Sequence, residues 1–220
     1  MMNGYPPYMD IEKNGEIIGF DVDIAKAIEK EIKQPIIIKD LGNLSSLFLA
    51  LETEAIDCIM SGLDITKERA KEYEIIYYHG EKNNHAYIVT LKNGPTSEDF
   101  TIKNWKIAVE PGSSNESILK NHKNLRLFPL LNYVDMMLQL KNKNIDGFLL
   151  DVSQIKRFQD LNDPELSFFK IEIPEELITN GIGIVLKRGN FGLKEKLQNA
   201  ITHLIHNNII NELAHRWKLL

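Results

Sequence analysis

The sequence predicts an α/β protein built from two similar units, and three observations predict it. Short β-branched runs alternate with stretches whose apolar residues recur every three or four positions, which are the periodicities of strand and helix. The pattern resumes in a second half, whose first extended segment, 85–91, is followed by a clear break at Asn93-Gly94-Pro95. The chain of 220 residues is 43% hydrophobic and 26% charged, enough for two cores of about 100 residues each.

Taken in order, Tyr5-Pro6-Pro7-Tyr8 is a turn, Asn14-Gly15 is a hairpin signal, and residues 17–20 form a short strand. Asp21, with Asp23 behind it, is placed to cap a helix in which Ile24, Ile28 and Ile32 face a core. Pro35 ends that helix, and the β-branched run 35–39 reads as a buried strand. Leu44, Leu47, Phe48 and Leu51 mark a second amphipathic helix, and the apolar run 56–60 a further strand. The order β, α, β, α, β implies a mainly parallel sheet covered by helices.

The pattern returns with strands at 85–91 and 105–109. Ser114 is placed to cap a helix running to about residue 122. A strand at 125–128, a helix at 133–141 and a buried strand at 145–150 follow, the last ending at Asp151. One more helix and a strand at 168–172 complete this half. The tail is a strand at 182–187 and two helices, one with Leu193, Leu197, Ala200, Ile201 and Leu204 on a face, the other with Ile209, Ile210, Leu213 and Trp217.

A net charge of −5 and the absence of any Lys/Arg-rich stripe argue against nucleic-acid binding. The longest apolar runs fall far short of the roughly 20 residues needed to cross a bilayer. No signal peptide is visible in the opening MMNGYPPYM. The single cysteine, Cys58, reads as a small buried hydrophobe, and the six histidines are scattered, so no metal site is expected. No G-x-S-x-G, paired-cysteine or Walker pattern occurs.

The stretch 61–69, SGLDITKER, leaves the end of a predicted strand as a polar, glycine-containing turn and enters a helix at Thr66. Such turns present ligand groups in α/β proteins. Arg69 fits two roles: a guanidinium that clasps a carboxylate through two parallel hydrogen bonds, or the exposed side chain of an ordinary connection. Asp151 likewise fits either a ligand contact at a strand end or a plain helix cap. Ser113 and Ser114 sit where a helix start favours a carboxylate.

Together these segments resemble the periplasmic amino-acid binding proteins of ABC uptake systems. The matching stretches are YPPY at 5–8, GFDVDIAKAI at 19–28, ALE at 50–52, IDCIMSGLDITKER at 56–69, YY at 77–78, VEPGSSNESIL at 109–119, IDGFLLD at 145–151, GIGIVLKRGN at 181–190 and HNNIINELAHRWK ending at 218. They span essentially the whole chain, and their order and spacing are what make the resemblance specific.

The resemblance implies a type II periplasmic-binding-protein fold: two α/β lobes joined by two hinge strands, with the ligand cleft between them. Lobe 1 would comprise residues 1–82 and 179–220, and lobe 2 residues 83–178. Carried over by position, Arg69 would take the ligand α-carboxylate with help from Ser113 and Ser114. Asp151 would take the α-ammonium, Tyr5 and Leu44 would flank the side chain, and Ser61, Gly62 and Asp64 would supply backbone and side-chain partners. It also implies a monomeric, non-enzymatic receptor with no cofactor, no metal, no nucleic acid and no membrane insertion of its own. Its partners would be an amino acid and a membrane permease, and its location periplasmic or otherwise extracytoplasmic, with or without a lipid anchor.

GLDITKER resembles the GMDITPER of arginine-type relatives, and Glu110 adds a second acid. Those acids favour a cationic ligand, arginine first, then lysine or histidine. A cyclohexadienyl-dehydratase-like enzyme and a ligand-sensing domain are alternatives on the same fold. Two departures stand out: Met2 lies where an acid often ends the strand that usually precedes YPP, so that either the sequence is trimmed or lobe 1 lacks its first strand, and Ile75-Ile76 replaces the usual Ser-Asp-Pro ahead of the tyrosine pair.

Overall fold

In the computed structural model, which describes residues 1–100 and 102–219, Asn14-Gly15 closes a hairpin of β1 (Asp10–Ile11) and β2 (Ile17–Ile18). The helix α1 (Phe20–Ile32) follows, with Phe20, Ile24 and Ile28 buried four residues apart. Its cap differs from expectation. Gly19 holds the N-cap position at φ +144°, where a Cβ would overlap the Tyr8 carbonyl, so a side-chain cap has no room. Asp21 instead turns into the core, and Asp23 accepts from the Trp217 indole N–H at 2.9 Å.

Two expected strands are reduced. Residues 35–39 form no ladder among the described residues: Ile37 is 80% exposed, and the backbone is held at its end by Met1, through Met1 N–H to Lys39 O and Leu41 N–H to Met1 O. β-branched composition favours an extended chain but supplies no partner strand. Residues 56–60 keep one antiparallel bridge, Ile59 to Val185. The helix α2 (Leu44–Glu52) is capped by Asn43, and α3 (Lys67–Glu72) by Thr66, whose hydroxyl accepts from Arg69 N–H at 3.1 Å.

β3 (Tyr73–Lys82) continues through Ile75-Ile76 without a break. It pairs antiparallel with a late strand, β9 (Asn180–Lys187). Two compact units result: Met1–Lys82 together with the chain from Thr179 onward, and Asn83–Ile178. In the first unit α7 (Phe191–His206) and α8 (Ile209–Arg216) pack with α1 against β3 and β9, joining Ile28, Ile76, Ile184, Leu197 and Ile201 in one core.

The second unit carries β4 (His85–Leu91), β5 (Lys106–Val109), α4 (Ser114–Lys120), β6 (Arg126–Pro129), α5 (Tyr133–Lys141), β7 (Gly147–Leu150), α6 (Val152–Asp160) and β8 (Leu166–Glu172). The cap of α4 is Ser113, one residue earlier than expected. The strand order is β6-β5-β7-β4-β8. β5 is parallel to both β6 and β7, whereas β4, fed straight from β3 without a helix, runs against its neighbours β7 and β8. The sheet is therefore mixed, and the ladders of the first unit are antiparallel. The expectation of a mainly parallel sheet fails where strands connect without a crossover helix.

Ile201 is fully buried where α7 enters the first core. Ile201→Ala is expected to cost about 2–5 kcal/mol in urea unfolding, and a cost below about 1 kcal/mol would contradict this placement of α7.

Candidate functional site

Residues 59–65 lie along β9 and are pinned rung by rung. Ile59 and Val185 exchange backbone bonds of 2.8 and 3.0 Å, Gly183 N–H donates to Leu63 O at 2.9 Å, and Ile65 N–H donates to Gly181 O at 2.9 Å. Ser61 and Gly62 form the turn between these rungs. Gly62 has φ +57°, and a Cβ there would come within 2.6 Å of the Tyr8 ring, so both backbone and space require glycine. Its N–H donates to Asp21 Oδ2 at 2.8 Å, while the Tyr78 hydroxyl donates to Asp21 Oδ1 at 2.7 Å.

Asp21 is fully buried. Desolvation pushes its carboxyl up to about 7, against the opposing pull of the two hydrogen bonds. Burial, then the adjacent Asp21, pushes the Tyr78 hydroxyl well above its ordinary value. The Gly62 N–H is thus spent on Asp21. Ser61 differs: it is buried, and its hydroxyl oxygen has no hydrogen-bond partner among the described residues, the state of a group that awaits one.

Arg69 does not simply trail into solvent. It is half-buried, Nη1 donates to Asp64 O at 2.9 Å, and the guanidinium carbon lies 5.6 Å from the centre of the Phe48 ring. Leu44, buried at the start of α2, is one turn from Phe48 on the same helix face. Tyr5 stacks on Tyr8 at 5.5 Å and packs against the cluster that contains Leu44. Asp64 Oδ1 accepts from the Thr179 hydroxyl at 3.4 Å. The first unit therefore gathers Tyr5, Leu44, Ser61, Gly62, Asp64 and Arg69 around the pinned turn. Phe48, Asp21 and Tyr8 were not foreseen as supports. Phe48 had a signal in its four-residue spacing from Leu44, but it reads equally as core.

In the second unit β5 and β7 run parallel, with Ile107 opposite Gly147 and Ala108 opposite Phe148. The segment 110–114 and Asp151 therefore leave the sheet at the same edge. Ser113 Oγ donates to Glu110 O at 2.7 Å and accepts from Glu116 N–H at 3.1 Å, so this hydroxyl shapes the turn. Ser114, half-buried, is the first residue of α4. Asp151 occupies the N-cap position of α6, yet its side chain makes no capping bond; only its carbonyl does, to Gln154 N–H at 2.9 Å. Position alone suggests a cap, and the carboxylate is not spent on it. Unforeseen in the same first helical turns are Asn115 and Gln154, buried with Asn115 Oδ1 and both Gln154 amide atoms lacking partners among the described residues.

Cys58 packs against the first core, where burial pushes its thiol up to about 11 and leaves it unreactive near neutral pH. His203 Nδ1 lies 2.7 Å from Glu31.

The sequence profile of the bacterial extracellular solute-binding proteins, family 3, matches residues 1–219. The putative ABC transporter arginine-binding protein 2 of Escherichia coli is 28% identical over 215 residues, covering 97% of this chain and 86% of its own. The probable ABC transporter arginine-binding protein ArtJ of Chlamydia trachomatis is 25% identical over 216 residues, covering 98% and 82%. Among solved structures, a Salmonella typhimurium periplasmic binding protein described for high arginine specificity superposes with a TM-score of 0.88 at 22% identity, covering 98% of this chain and 96% of that one. That likeness carries the fold: type II periplasmic binding protein.

The titration of Asp21 has a sign. Its carboxyl lies at about 7 in the fold against 3.8 when exposed. The protonated group therefore contributes stability that is complete below pH about 4 and is lost as the pH rises through about 7, a change of roughly 4 kcal/mol. Urea unfolding across that range should show the wild type losing stability relative to Asp21→Asn by several kcal/mol, whereas parallel curves would contradict the assignment.

Proposed function

We propose that this chain, which belongs to the bacterial extracellular solute-binding proteins, family 3, binds a basic amino acid by hinge closure and delivers it to the permease of an ABC transporter. Arginine comes first, then lysine or histidine. The observation that carries this is the pose of Arg69, set against the Asp64 carbonyl and the Phe48 ring on a motif fixed to β9. A guanidinium so oriented suits the planar, two-oxygen geometry of a carboxylate.

Asp151 supports the other half. A desolvated zwitterion needs a fixed cation at one end and a fixed anion at the other, or the desolvation of its charges is not offset. Asp151 offers a carboxylate at a strand end without a capping duty, and the turn held by Ser113 brings Ser114 to the same sheet edge. On this reading the α-carboxylate goes to Arg69 with Ser113 and Ser114, and the α-ammonium to Asp151. Tyr5 and Leu44 flank the side chain, and the unsatisfied Ser61 hydroxyl accepts or donates one bond. Asp64, and Glu110 beyond β5, bias the site toward a cation because a like-charged side chain would be repelled. The arginine-binding names of the two relatives agree with that choice. The protein acts as a monomeric receptor in the periplasm or outside the cytoplasmic membrane, with no reaction catalysed.

Calorimetric titration with arginine, lysine, histidine, glutamine and glutamate tests the proposal. Arginine is expected to bind most tightly, and tight glutamate binding without an arginine response would overturn it. Arg69→Lys, which keeps the charge and loses the fork, should weaken arginine about tenfold or more. Asp151→Asn should weaken it about a hundredfold or more, because a desolvated ammonium loses its counter-charge.

A further inference from the structure

We propose that Asp21 is a positioning residue for the ligand site, holding the loop at residues 5–9 and the turn at residues 61–62 in one arrangement; this rests on the function proposed above. Asp21 itself touches no ligand in that scheme. Its backbone N–H donates to Tyr8 O at 3.2 Å, and its carboxylate accepts the Gly62 N–H at 2.8 Å. A single residue on α1 thereby ties together two loops that are far apart in sequence. Tyr78 on β3 fixes the second carboxylate oxygen at 2.7 Å, so the carboxylate cannot rotate away from Gly62.

The hold on Gly62 is two-sided. Asp21 takes its N–H, and the Tyr8 ring closes the side where a Cβ would stand. Tyr8 in turn stacks on Tyr5. Moving Asp21 would therefore shift Tyr5, Ser61 and Gly62 together. Packing alone does not explain the residue: a carboxylate with no exposure costs free energy that an apolar side chain of similar volume would not. What the carboxylate supplies, and leucine cannot, is an acceptor for the N–H of a glycine held at positive φ.

The test compares wild type with Asp21→Leu, Asp21→Asn and Tyr78→Phe by two readouts: hydrogen exchange of the Gly62 amide, followed by NMR, and calorimetric titration with arginine. Asp21→Leu should speed Gly62 exchange and weaken arginine binding, each by about tenfold or more. Asp21→Asn should keep both within about threefold, because the amide oxygen still accepts from Gly62 while the amide N–H donates to the Tyr78 oxygen. A folded Leu variant that binds arginine like wild type overturns the role, as does an Asn variant as impaired as Leu. Should the Leu variant fail to fold, Tyr78→Phe decides. Faster Gly62 exchange with proportionally weaker binding supports the role, and faster exchange with unchanged affinity overturns it. A wild type whose Gly62 amide is protected but which binds no amino acid overturns the proposed function, and its positioning role with it, on a distinguishable result.

Discussion

The constraint on which the first unit depends is the immobilised backbone of Gly62. Its neighbours are pinned to β9, its N–H is held by a buried carboxylate, and its Cα face is covered by an aromatic ring. The hydrogen bonds among these holds satisfy backbone groups that would otherwise be buried and unpaired. With the turn fixed, Asp64 is fixed, and with it the carbonyl that aligns the Arg69 guanidinium. The backbone carbonyl of Asp64 and the Phe48 ring thus set the orientation of the arginine.

The second unit reaches a comparable result by topology. Parallel β5 and β7 end at one edge, so the serine-capped turn and Asp151 emerge side by side from strands 40 residues apart in sequence, as the pairing of Ile107 with Gly147 records. Parallel strands generate this arrangement without any special residue, which is why ligand groups collect at the carboxyl ends of such sheets. Arg69 and Asp151 carry the opposite charges that the two ends of an amino acid require.

Much of this was legible in the sequence, and the failures share a cause. The strand His85–Leu91 and the helix Tyr133–Lys141 fall where composition and periodicity put them, because nothing distant competes with those local signals. The α/β class follows from patterns equally local. Asp21 read as a helix cap because its true partners lie 41 and 57 residues away. Gly19 displaced it because a tyrosine carbonyl from an earlier loop occupies the space. The run 35–39 looked like a strand by its isoleucines, yet a ladder needs a neighbour, and composition does not report neighbours. Phe48 was visible as an apolar helix residue, but its stacking on Arg69 depends on how α2 meets α3.

If Arg69 and Asp151 bind the two ends of one amino acid, a crystal structure grown with arginine will show the ligand carboxylate paired through two hydrogen bonds with the Arg69 guanidinium, and its α-ammonium on the Asp151 carboxylate. Arginine bound with neither residue in contact, or with its guanidinium rather than its ammonium on Asp151, would contradict it.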